Sequence, residues 1–82
     1  MLTMYKNYNP QEIKLATEIA ETLHDRDSLA LHLMYVRKYK EEFLRRILAK
    51  VMAIPEHQIR KTRAALYVFL INQSSRNGDA GY

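Results

Sequence analysis

The sequence contains no cysteine and no tryptophan, and only two glycines and two prolines. The missing cysteine excludes disulfide staples and thiolate metal sites, and it fits a reducing compartment. Both glycines, Gly78 and Gly81, fall near the C-terminal end, so no glycine-rich phosphate loop is available in the body of the chain. Prolines at Pro10 and Pro55 alone leave long stretches free to be helical. No apolar run approaches the roughly 18–20 residues that span a bilayer. The opening MLTMYKNYNP lacks the basic region and long apolar region of a secretion signal. A cytoplasmic protein with no membrane partner is the expectation. At 82 residues a single domain is expected, near the size at which one hydrophobic core becomes marginal.

What the chain does have is helix-forming composition. Leu, Ala, Glu, Lys and Arg dominate between the prolines, and no alternating strand pattern or hairpin turn signal is present. The expected fold is all-α: a compact bundle of four helices at about 10–24, 27–39, 41–53 and 56–73, with a flexible tail over 74–82. Asn9, Pro10 and Glu12 form a capping-box entrance to the first helix. Asp25 or Asp27 supplies a cap for the second, which looks well buried along Leu29, Leu33 and Val36. Glu41 and Glu42 suit the N-terminal end of the third, whose apolar face is Phe43, Leu44, Ile47, Leu48 and Val51. Ile54 precedes Pro55 and is pushed out of helical geometry, which stops that helix near Ala53. AALYVFLI, Ala64 to Ile71, is apolar all round and reads as a central helix covered on most sides.

Charge is distributed unevenly. The formal net charge is +4. Residues 1–35 carry Lys6, Lys14 and Arg26 against Glu12, Glu18, Glu21, Asp25 and Asp27, a balance of −2. Residues 36–73 carry Arg37, Lys38, Lys40, Arg45, Arg46, Lys50, Arg60, Lys61 and Arg63 against Glu41, Glu42 and Glu56, a balance of +6. Such asymmetry points to an electropositive surface that draws phosphates, acidic proteins or anionic lipid. The plainer account is solubility.

RRILAKVMAIPEHQIRKTRAAL, Arg45 to Leu66, holds most of these cations around a proline corner. Over Arg45 to Ala64 it resembles the helix-turn-helix segment of bacterial DNA-binding proteins. Ala49 falls where that pattern wants a small residue, Leu48, Met52 and Ile54 at its apolar positions around the turn, and Ile59 where its second helix returns an aliphatic side chain. Two positions depart from it: Ala53 replaces the usual turn glycine, and Thr62 stands where an aliphatic residue is normal. The resemblance implies a DNA-binding element, with Gln58 and Arg60 placed beside a face of His57, Lys61 and Ala64, and with Gln58 a candidate base reader.

The pattern leaves a second geometry open. Thr62 and Arg63 are polar on the face Ile59 would share on a continuous helix. Residues 55–60 then form a separate short turn, and Thr62 caps a new helix beginning at Arg63. Arg60, Lys61 and Arg63 would cluster at a helix N-terminus, where amide N–H groups and the dipole favour a phosphate. The alternative is a solvated basic loop.

Other constellations carry less. His24, His32 and His57 lack ligand spacing and read as surface or boundary residues, so no metal or other cofactor is expected. No nucleophile–base arrangement is visible, so no enzyme and no small-molecule substrate is expected. The six tyrosines could stack on single-stranded bases, but Tyr35 and Tyr67 lie beside apolar stripes and suit the edge of a core. Two functions follow as expectations. One is a nucleic-acid-binding module, with DNA the first expectation, contacting phosphates through Arg60, Lys61 and Arg63 first and Arg45, Arg46 and Lys50 second. The other is a helical protein-interaction or homodimerisation module, supported by the apolar last helix.

Overall fold

The first helix starts where its capping box places it. In the computed structural model, which describes residues 8–76, the Asn9 side chain accepts from the Glu12 amide at 2.8 Å, and the Glu12 carboxylate accepts from the Asn9 amide at 3.0 Å. The fold is all-α, with four α-helices and no strand among the described residues: α1 Pro10–Thr22, α2 Leu29–Lys38, α3 Glu41–Ala53 and α4 Arg63–Arg76. They divide into two units, residues 1–38 and residues 39–82.

In the first unit α1 packs against α2. Leu15, Ala16, Ile19 and Ala20 are buried along α1, with Leu23 just beyond it. Expected to run to about residue 24, α1 ends at Thr22, and a C-terminal cap follows. The His24 amide donates to the Glu21 carbonyl at 3.1 Å and the Asp25 amide to the Ala20 carbonyl at 2.7 Å. That pair of bonds is the Schellman arrangement, and it needs a left-handed residue, usually glycine, just past the cap. His24 fills the role with φ of 55°.

A short 3-10 turn, Arg26–Ser28, precedes α2, so the second helix starts two residues later than expected. Asp25 does not cap it through its side chain. Its carboxylate instead lies 3.0 Å from Nε2 of His32, two helical turns on. Only His32, Leu33 and Tyr35 are buried along α2, which is therefore less enclosed than its sequence suggests. At its far end the Arg37 guanidinium bonds the Glu12 carboxylate at 2.7 Å and lies 4.4 Å over the Tyr8 ring. That ion pair and the Asn9 amide hold the Glu12 carboxyl below the usual carboxylate range.

In the second unit α3 occupies the expected span, with Glu41 and Glu42 in its first turn. Phe43, Leu44, Ile47, Leu48 and Val51 are buried, as their spacing requires. Tyr39 precedes the helix and tilts against Phe43, ring centroids 5.4 Å apart. α4 differs most from expectation. It begins at Arg63, not near 56, and continues to Arg76, three residues into the expected tail; residues 77–82 lie outside the described residues. Among its described side chains only Tyr67 and Ile71 are buried, and Phe69 is 57% exposed. A central helix covered on most sides is not what forms.

Candidate functional site

Why the chain breaks between α3 and α4 can be read residue by residue. Ile54 takes an extended conformation ahead of Pro55, with ψ of 130°, as a residue before proline must. Glu56–Gln58 make one 3-10 turn and Ile59 is again extended, with ψ of 117°. Thr62 then starts α4. Its Oγ accepts from the Ala65 amide at 3.0 Å, and its carbonyl accepts from the Leu66 amide at 3.2 Å. The later of the two helix starts allowed by the sequence is the one adopted. A continuous helix from 56 would have placed Thr62 and Arg63 on the face of Ile59, where nothing compensates their desolvation.

This revises the helix-turn-helix geometry. Residues 56–62 do not form the second helix of such a motif, and Ala49, at its close-approach position, is exposed. Gln58 is exposed in the 3-10 turn rather than aligned on a recognition helix with Lys61 and Ala64.

One contact organises the corner. The Arg63 guanidinium donates from Nη1 to the Val51 carbonyl at 2.6 Å. Val51 lies in the last turn of α3, at the negative dipole end, and its carbonyl also accepts from the Ile54 amide at 3.4 Å. A side chain from the first residue of α4 thus closes α3. Lys50 precedes Val51 in that last turn of α3, and Arg60 and Lys61 precede Arg63 by three and two residues.

The seven predicted residues separate into two groups. Lys50, Arg60, Lys61 and Gln58 are exposed, and no carboxylate pairs with Lys50, Arg60 or Lys61 among the described residues. The other three are engaged locally. Arg63 is half-buried on Val51. Arg45 pairs with Glu41 one turn back at 2.7 Å, with both side chains in solvent. Such a pair contributes little and opens readily. Arg46 lies 5.6 Å over the Phe43 ring, and one turn further on Lys50 continues its side of α3. The arrangement suits a polyanion: exposed ammonium and guanidinium groups beside a capped helix N-terminus.

Sequence reasoning missed His32. It is fully buried, not a surface or boundary histidine, and its carboxylate partner Asp25 is largely covered. Tyr35 and Tyr67 are likewise buried, at 5% and 0% exposure, deeper than the core edge expected for them, and Tyr39 is buried at 3%. Rings so covered cannot stack on nucleobases. No group of three or more His, Asp or Glu among the described residues could hold a metal ion. None of the described helices is long and apolar enough to cross a membrane. Comparison with protein-family models, with curated proteins and with solved structures finds no match for this chain.

Proposed function

We propose that the chain is a small nucleic-acid-binding module, with DNA the favoured ligand, that contacts phosphates through the second unit. The carrying observation is the set Lys50, Arg60 and Lys61: exposed, without a carboxylate partner among the described residues, and set in the last turn of α3 and just before α4, the two helices that Arg63 ties together. Residues 39–82 hold eight Lys and Arg against four Asp and Glu, whereas residues 1–38 hold five of each, so the whole surplus lies in the unit that contains the corner. Phosphate contacts of this kind position a ligand without reading its bases. Nothing in the corner builds a base-reading helix, so binding is expected to be largely independent of sequence.

Titration of the protein with random-sequence duplex and single-stranded DNA across a salt series tests this. Affinity should fall steeply as salt rises. Replacing Lys50, Arg60 and Lys61 together with alanine should flatten the slope of log affinity against log salt by about 2–3, since each phosphate contact contributes about 0.9 on duplex DNA. Arg63 is left in place, because its removal would also open the end of α3. Absence of binding at low salt, or a slope indifferent to the three substitutions, would end this reading.

A further inference from the structure

The buried stripe of α3 is Phe43, Leu44, Ile47, Leu48 and Val51. At about 100° per residue, Ala49 stands opposite the centre of that stripe. Ala49 is exposed, with exposed Arg45 and Arg46 one turn before it and exposed Met52 and Ala53 one turn after. The two arginines straddle this crest, and Lys50 continues the Arg46 side. The outward face of α3 is thus low along its middle, where it carries alanine, and cationic along its flanks. The small side chain that would suit a close helix–helix approach is turned to solvent instead, where it leaves the helix backbone open to a ligand.

Resting on the phosphate-binding reading above, we infer that the Arg45–Ala53 face of α3 enters the major groove of a B-form duplex, so that the ligand is duplex DNA rather than duplex RNA or a single strand. Charge fits this occupant. Residues 45–53 hold Arg45, Arg46 and Lys50 and no acidic residue. The Arg45–Glu41 pair lies in solvent and yields to a phosphate at little cost. Glu41 and Glu42, in the first turn, mark where the face ends, so the part that enters is the C-terminal stretch, roughly 13 Å long. Lys50 belongs both to this face and to the set that contacts phosphate at the corner.

Shape selects among polyanions. A helix with its side chains is about 10–12 Å across, and the major groove of B-form DNA is about 12 Å wide. A crest of Ala49 and Ala53 lets the axis sit deep in that groove, with Arg45 and Arg46 directed to its opposite walls. The major groove of duplex RNA is too narrow to admit the same face. An acidic protein or a single strand would match the charge, but each calls for exposed aromatic side chains, and this face has none. Alanine methyls make no hydrogen bond to base edges, so the groove is recognised by its width, in keeping with binding that is largely independent of sequence.

Duplex DNA, duplex RNA and single-stranded DNA of equal length and mixed sequence, each titrated with the full chain at one low salt concentration, read this directly. Duplex DNA should bind more tightly than either of the others by about tenfold or more. Ala49→Phe should weaken duplex DNA binding by about tenfold, the cost of one ill-fitting side chain at a close contact, and leave single-strand binding unchanged. Ala30→Phe, at an exposed position on α2, should alter neither. Circular dichroism of both variants should match the native chain, because both positions are exposed. Equal or tighter binding to duplex RNA or to the single strand would overturn the inference, and so would a duplex affinity indifferent to Ala49→Phe. Either result leaves the phosphate-binding reading standing if alanine at Lys50, Arg60 and Lys61 still flattens the salt slope. Absence of all binding at low salt would remove both.

Discussion

His32 and Glu12 show what single side chains contribute here. His32 is fully enclosed and shares a 3.0 Å contact with the Asp25 carboxylate. Truncation to alanine removes a buried ring and strips the carboxylate of that partner, and the expected loss is about 2–4 kcal/mol of unfolding free energy. Urea denaturation would measure it, and a loss below about 0.5 kcal/mol would contradict the enclosed position. Glu12 acts through pH. Its carboxyl titrates below the ordinary range because Arg37 and then the Asn9 amide favour the ionised form. A depressed folded-state value means that the stabilisation is fully present above the unfolded-state glutamate value and is lost as pH falls through the folded-state one. Stability of the native chain should therefore drop more steeply in acid than that of Glu12→Gln, with the two curves converging at low pH. Parallel curves would show that the ion pair is too well solvated to matter. Neither role was open to inspection in the sequence. Asp25 and His32 are seven residues apart, and Asp25 stands where a helix cap is the ordinary use of aspartate.

Elements were legible in proportion to how local their signals are. The capping box at Asn9 and the apolar face of α3 depend on residues three and four apart, and both form as read. The end of α1 was read two residues late because its left-handed cap is a histidine, and no glycine marks it. At the Pro55 corner two helix starts were compatible with the pattern. The polar pair Thr62 and Arg63 carried the information that decides between them: one caps α4 and the other reaches back to α3. α4 misled in the opposite direction. Its apolar run reads as enclosure, yet the helix buries two of its described side chains and leaves Phe69 outward. Hydrophobicity states that a surface prefers to be covered, not which chain covers it.

For the whole molecule the relevant quantity is where charge sits, not how much there is. A sequence isoelectric point near 9.5 would by itself give weak attraction to any polyanion. Two variants of equal charge separate the cases. Alanine at Lys14, Arg26 and Lys38 removes as many cations as alanine at Lys50, Arg60 and Lys61. The first set should leave the salt slope of DNA binding nearly unchanged, while the second flattens it. Equal effects in side-by-side titrations would make the surplus a matter of solubility alone. The sequence showed this imbalance and named the residues near the corner. It could not show that Arg63 and Arg45 have local acceptors, because those contacts depend on backbone and rotamer geometry.

The bond from Arg63 to Val51 has a kinetic and entropic side. An arginine loose in water gives up about 2 kcal/mol of rotamer freedom when a ligand fixes it. Arg63 has surrendered much of that freedom on folding, yet only one of its five N–H groups is spent on the carbonyl. A phosphate arriving at this corner would meet one stiff guanidinium and, two and three residues before it, the yielding side chains of Lys61 and Arg60. The stiff member would set the angle of approach, and the pliant ones would tolerate variation in the backbone they follow.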